Sequence, residues 1–195
     1  MSRKKILLVE DNSFIKSLHS QILRQITKHD VLVAKDGKEA LRMLNQQPIQ
    51  LLVTDLFMPD MNGLELVKKI RCNETRSASN MSILIISDYP VRTILQSCTQ
   101  LDINGFLAKP ISKKQAEVRV IQALAVNNPL KAVDGYQAVE TDLEKLKQLD
   151  KALFDEASAA LSDGLANQEE GHMDVEDDED IEVEVESNEP KVSGE

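Results

Sequence analysis

Residues 51–63 read Leu-Leu-Val-Thr-Asp-Leu-Phe-Met-Pro-Asp-Met-Asn-Gly. A short apolar run ends in a hydroxyl and a carboxylate, and Pro59 and Gly63 then stop any strand from continuing. Apolar residues return at helical spacing in Leu64, Val67 and Ile70. A short apolar run bounded by turn residues fits a strand buried on both faces. The unit is therefore strand, carboxylate-bearing loop, helix.

The same unit recurs in both directions. Ile6–Val9, Val31–Ala34, Ile83–Ile86 and Phe106–Ala108 are four further apolar runs. Between and after them lie helical stripes: Ile15, Leu18, Ile22 and Ile26; Ala40, Leu41 and Leu44; Ile94, Leu95 and Leu101; Val118, Ile121 and Ala125. Asn12-Ser13 suits a helix cap, Asp36-Gly37 opens the second helix, and Pro90 suits a first helical turn. Five strands alternating with five helices predict right-handed crossovers and a doubly wound α/β domain, with a parallel sheet covered on both faces.

Charge divides the chain into zones. Of 195 residues, 33 are acidic and 23 basic, a net charge of −10. Residues 169–195 alone carry thirteen acids and one base, whereas residues 1–125 carry a net charge of +6. The acidic balance belongs to the C-terminus. No apolar run approaches the roughly 18 residues that a membrane helix requires, and the N-terminus stops short of a signal-peptide core. Cys72 and Cys98 stand far apart, and His19, His29 and His172 are scattered, so no zinc spacing or disulfide framework emerges. The three histidines read as surface residues, the cysteines as ordinary helix residues, and the protein as cytoplasmic.

In a doubly wound sheet, ligands bind outside the carboxyl ends of the strands. Those ends carry Glu10 and Asp11, Asp55, Ser87 and Asp88, and Lys109. Crowded carboxylates repel unless a cation lies between them, and hard oxygen donors suit Mg²⁺. Taken singly, each residue also has a plain role as a loop carboxylate, a turn hydroxyl or a surface lysine. Asp60 and Asn62 are assigned to the turn before Gly63.

Over residues 3–126 the chain resembles a receiver domain of a two-component response regulator. The resemblance is carried by Lys-Lys-Ile-Leu-Leu-Val-Glu-Asp-Asn at 4–12, the 51–63 stretch, Ile-Ile-Ser at 85–87 and Phe-Leu-Ala-Lys-Pro at 106–110. It implies a flavodoxin-like sheet of order 2-1-3-4-5, with Asp55 as the phosphoacceptor. Glu10, Asp11, Asp55 and the backbone carbonyl of Phe57 would hold Mg²⁺. Lys109 and Ser87 would contact the phosphoryl group, and Phe106 would be the switch aromatic. The Lys109-Pro110 bond would be cis. A sensor histidine kinase or histidine phosphotransfer protein would supply the phosphoryl group in a phosphorelay, and a downstream protein would read the result.

Three positions modulate that expectation. Phe57 stands where many similar domains carry a polar side chain that helps position hydrolytic water, which predicts slow autodephosphorylation. Asp88 puts a further carboxylate beside the phosphoryl pocket, adding repulsion or else turning outward to cap the fourth helix. Phe106 lacks a tyrosine hydroxyl. Because of Asp88, a pseudo-receiver binding module not governed by phosphorylation stands as the alternative function.

The receiver is assigned residues 1–127 and a linker 128–133. Val139, Leu143, Leu146, then Leu149 or Asp150, Leu153, Ala157 and Ala160 form the stripe of an amphipathic helix over 134–166, whose seam Asp150 and the two alanines weaken. That helix could pair in a homodimer, dock on the face made by the fourth helix, fifth strand and fifth helix, extend the fifth helix, or be a surface helix with no regulatory role. Residues 167–195 are too acidic and too poor in apolar groups to offset their ordering entropy, and are expected to be disordered. The acidic C-terminal third disfavours direct DNA binding. No enzyme chemistry beyond self-modification at Asp55 is expected.

Overall fold

Each apolar run becomes a strand in the computed structural model, which describes residues 3–88, 91–126, 128, 129 and 131–169, with side chains up to residue 157. The strands are β1 (Lys5–Val9), β2 (Asp30–Ala34), β3 (Leu51–Asp55), β4 (Ser82–Ser87) and β5 (Gly105–Ala108). The helices are α1 (Ser13–Ile26), α2 (Gly37–Gln46), α3 (Gly63–Arg71), α4 (Arg92–Gln100), α5 (Lys113–Ala125), α6 (Val133–Gln137) and α7 (Leu143–Glu169). All strand pairs are parallel, in the order β2-β1-β3-β4-β5. This is the doubly wound five-stranded sheet that the sequence predicts. Among the described residues, no helix is long and apolar enough to cross a membrane.

Alternation along the strands separates two cores. Ile6, Leu8, Leu51, Val53, Leu84 and Ile86 face α1 and α5, meeting Leu23, Ala116 and Val120. Leu7, Val9, Leu52, Ile83 and Ile85 face α2, α3 and α4, meeting Leu44, Leu64, Val67 and Ile94. Covering both faces explains why the runs read as continuously apolar. Buried Arg71 on α3 donates to the carbonyls of Ser79, Leu101 (3.0 Å), Met81 (2.9 Å) and Asp102 (2.9 Å), tying the β4 and β5 approaches together.

Caps behave as their residue types dictate. The Asn12 side chain accepts from the amides of Phe14 and Ile15, and Asp36 accepts from Glu39. Asn62 and Glu65 form a capping box on α3. The α4 start differs: its N-cap is Val91, with no side-chain cap bond of its own, so Asp88 does not cap it. Pro90 lies outside the described residues.

Helix α1 is rotated from the expected phase. Leu18 is 43% exposed, whereas His19 is 2% exposed, so His19 is a core residue and not a surface one. The inner stripe is His19, Ile22, Leu23 and Ile26. His29 is half-buried and accepts from the Lys4 amide at 3.3 Å; His172 lies outside the described residues.

The segment beyond α5 also departs from expectation. Helix α5 ends at Val126 in extended backbone and is not prolonged. Asn128 is buried, exchanging side-chain bonds with Asn104 and donating to the Asn80 carbonyl at 3.1 Å. Two helices, α6 and α7, replace the single helix expected over 134–166. The Glu140 and Asp142 carboxylates accept the amides of residues 141, 142, 144 and 145, which starts α7 afresh. Tyr136, Val139, Leu143 and Leu146 are buried in the core with residues of α3 and α4, so this part of the stripe is covered within the chain, whereas Leu153 of the same stripe is exposed. The chain divides into units 1–155 and 156–195; α7 runs on through the described part of the second to Glu169. The disorder expected over 167–195 does not hold for residues 167–169, which are the helical end of α7; the remainder, 170–195, lies outside the described residues.

Candidate functional site

The ladder continues past the strand ends and fixes the rim. Glu10 donates its amide to Ala34, Leu56 to Ile86 and Lys109 to Ser87, at 3.3, 3.0 and 3.1 Å. The residues that follow are thereby held side by side. Gly63 is required here by close approach: a Cβ would stand 2.4 Å from the Asp55 carbonyl oxygen. In the turn between them, Asp60 takes a left-handed backbone (φ 63°), a conformation that a short polar residue tolerates.

The rim gathers Glu10, Asp11, Asp55, Ser87 and Lys109. Lys109 Nζ donates to Asp55 Oδ2 at 2.6 Å and lies 3.7 Å from Glu10 Oε2. The other Asp55 oxygen accepts the Phe57 amide at 3.3 Å, and Glu10 Oε1 accepts the Asn12 amide at 3.3 Å. The Lys109-Pro110 peptide is cis. Glu10, Asp55 and Ser87 are buried, while Asp11 is exposed.

Electrostatics here are unbalanced. Burial, then the charge of Asp55, raises the Glu10 carboxyl above its usual range. Burial works against the Lys109 ammonium, but the bond to Asp55 and the charges of Asp55, Glu10 and Asp88 outweigh it, and its pKa is raised. One lysine faces three clustered carboxylates. Glu10, Asp11 and Asp55 each offer an oxygen, and these lie within 4.8 Å of one another. Among the described residues, Glu10 Oε2 and Ser87 Oγ have no hydrogen-bond partner. Hard oxygen donors at this spacing, with an orphaned buried carboxylate oxygen, fit a Mg²⁺-type ion. A buried acceptor left unsatisfied is costly, and a cation removes the cost.

Beside this cluster stands one histidine that sequence patterning did not assign to the site, together with the expected Phe57, Asp88 and Phe106. His19 Nδ1 is buried without a hydrogen-bond partner among the described residues, 3.7 Å from Glu10 Oε2. The signal available was its place on the same α1 face as Leu23 and Ile26. Phe57, 37% exposed, lies beneath Lys147 of α7, whose Nζ is 4.7 Å from the ring centroid. Asp88 is exposed but close enough to act on Lys109. Phe106 is half-buried; its other side lines a groove of about 550 Å³ with Ala108, Lys114, Val118 and Arg119.

This constellation on this topology meets a close counterpart among known proteins. Residues 6–121 match the family model of the response regulator receiver domain. The chain belongs to that family. The receiver is 28% identical to a chemotaxis protein CheY homolog of Campylobacter jejuni over 125 residues, covering 64% of this chain and 95% of the relative. It is 33% identical to a two-component response regulator of Oryza sativa, covering 54% and 78% of the two chains. In structure it is similar to chemotaxis protein CheY4 of Vibrio cholerae, with TM-score 0.58, 25% identity, and coverage of 63% and 100%. The receiver domain of a sensor histidine kinase from Pseudomonas aeruginosa shares the fold (TM-score 0.57, 22% identity, 64% and 100% coverage). That structure has a magnesium ion coordinated in its active-site cleft. The protein thus carries a response regulator receiver domain of the two-component and chemotaxis type, a signalling module.

Proposed function

We propose that the protein is a phosphorylatable signalling switch in which Asp55 accepts a phosphoryl group and the change is read through protein contacts. The observation that carries this reading is the convergence on Asp55 of Lys109, at 2.6 Å, with the Glu10 and Asp11 carboxylates. Asp11, Asp55 and the Phe57 carbonyl would hold Mg²⁺, with Glu10 ligating directly or through water. The ion would offset negative charge on the transferring group.

The chain's own residues supply the rest. A carboxylate oxygen of Asp55 attacks phosphorus, the bond from phosphorus to the donor breaks, and an acyl phosphate forms. From a phosphohistidine, the leaving imidazole nitrogen takes up a proton. Lys109, already charged beside Asp55, moves its ammonium from the carboxylate to a phosphoryl oxygen. Ser87, whose hydroxyl has no partner among the described residues, donates to another phosphoryl oxygen. Phe106 then shifts into the space that the Ser87 loop vacates, and the α4–β5–α5 face changes.

The phosphodonor in this reading is a sensor histidine kinase or a histidine phosphotransfer protein in the cytoplasm, and the reader is a downstream protein. Incubation with acetyl phosphate and Mg²⁺, followed by intact mass, tests the proposal. A gain of one phosphoryl group that needs Mg²⁺ and vanishes in Asp55→Asn supports it. No gain, even in Asp88→Ala, favours the pseudo-receiver instead.

A further inference from the structure

The segment 131–150 is bonded to the β3–α3 loop and to the first turn of α4. Its Tyr136, Val139, Leu143 and Leu146 side chains are buried against α3 and α4. Around that apolar strip, Lys68 Nζ donates to the Val139 carbonyl at 2.7 Å and the Tyr136 hydroxyl donates to Asp102 at 2.7 Å. Toward the rim, Asn62 Nδ2 donates to the Thr141 carbonyl at 2.9 Å, and Lys147 covers Phe57, two residues past Asp55.

On the β4 side the contact is tighter. Thr93 Oγ1 donates to the Leu146 carbonyl at 2.6 Å, and the Thr93 amide donates to Asp150 Oδ1 at 3.2 Å. Helix α4 has no acidic residue in its first turn and no side-chain cap bond of its own. Asp150 therefore supplies, from α7, the carboxylate that the exposed amides of a helix start favour. Thr93 is six residues beyond Ser87, whose hydroxyl is buried and lacks a partner among the described residues. The chain leads from Ser87 into the first turn of α4, and that turn is fastened to α7.

We propose that Thr93 and Asp150 are positioning residues for phosphoryl transfer, fastening α4 to α7 so that Ser87 is held back from the phosphoryl group. The proposal rests on the reading of Asp55 as phosphoacceptor. Docking of residues 141–150 and phosphorylation then oppose one another, and the opposition is reciprocal: what docking costs phosphorylation, phosphorylation costs docking. The C-terminal segment acts as the built-in reader of the switch, loosening when Asp55 is modified.

The test uses the full chain with acetyl phosphate and Mg²⁺. Thr93→Val removes the hydroxyl donor at constant shape, and Asp150→Ala removes the capping carboxylate. Each is expected to speed phosphoryl incorporation about fivefold, the scale of one lost hydrogen bond. Thr93→Ser, which keeps the donor, returns the wild-type rate. In a Ser87→Ala background the gain disappears, because the restraint acts through Ser87. Hydrogen exchange at amides 143–150 rises on phosphorylation of the wild type and stays unchanged in Asp55→Asn. Unaltered or slower incorporation in both variants, with wild-type thermal melting, overturns the proposal, as does an equal gain in the Ser87→Ala background. Absence of incorporation in the wild type and every variant overturns the Asp55 reading itself, a different result from normal incorporation at unchanged rates.

Discussion

Lys109 Nζ lies 2.6 Å from Asp55 Oδ2 and 3.7 Å from Glu10 Oε2, so a single ammonium spans two buried carboxylates. It occupies the position that a divalent cation would contest. Lys109→Met should therefore tighten Mg²⁺ binding, by roughly tenfold for about 1.4 kcal/mol of relieved competition, while slowing phosphoryl transfer. The same variant should melt lower without metal, because the carboxylates are left unpaired, and recover when Mg²⁺ is added. Calorimetric titration with Mg²⁺ checks this; weaker binding in Lys109→Met would mean that the lysine organises the site and does not compete for it.

Phe57 presents an apolar ring beside the phosphoacceptor, and Lys147 lies over its face. Neither group orients water onto an acyl phosphate. Spontaneous loss of the phosphoryl group should be slow, and Phe57→Asn should accelerate it severalfold. Mass spectra taken over time after donor removal measure the decay, and a wild-type half-life of seconds counts against the idea.

Asp88 is exposed yet adds to the field at Lys109, so an approaching anionic donor meets its charge. Asp88→Ala should raise the rate with acetyl phosphate by a few-fold, and added salt should shrink the difference. Equal rates at low salt would remove Asp88 as a barrier.

His19 gives the native state a pH dependence. Burial, and secondarily the charge of Lys109, holds its imidazole down to about 4, against 6.5 in the unfolded chain. Between those values the unfolded chain binds a proton that the native state refuses, so stability falls as pH drops through that window. Glu10 acts in the opposite sense, since its raised carboxyl lets the native state keep a proton that the unfolded chain releases. His19→Gln removes only the first effect. Between about pH 7 and about pH 5, the wild type should lose on the order of 2 kcal/mol more than the variant. Urea titrations at both pH values decide it, and parallel losses would contradict the assignment.

Gly63 stands against the Asp55 backbone, and Gly63→Ala would press a methyl group to 2.4 Å from its carbonyl oxygen. The β3–α3 loop must move, at a cost of roughly 1–3 kcal/mol. A lower melting temperature together with weakened Mg²⁺ binding is expected; an unchanged Mg²⁺ affinity would show that the loop yields away from the site.

The sheet and the rim were legible in sequence because their physics is local. Strands covered on both faces must be apolar throughout, and polar groups at their carboxyl ends announce themselves by type. The strand limits shifted by one or two residues, where polar residues such as Asp30 and Ser82, or Gly105, join the ladder. What stayed hidden depends on contacts distant in sequence. Leu18 and His19 exchange places on α1 because a pocket beside Glu10 accepts an imidazole, which hydropathy cannot register. The stripe of Val139, Leu143 and Leu146 states that something covers it but not that α3 and α4 do. Asp150 reads as a flaw in a seam until Thr93 is found donating to it.

The most direct test of the central claim is to identify the modified atom. The protein is treated with acetyl phosphate and Mg²⁺, the acyl phosphate is reduced with borohydride, and the peptides are sequenced by mass spectrometry. Homoserine at position 55, absent without Mg²⁺, is the predicted result. Homoserine at Asp11 or Asp88, or none at any position while the protein remains folded, would contradict it.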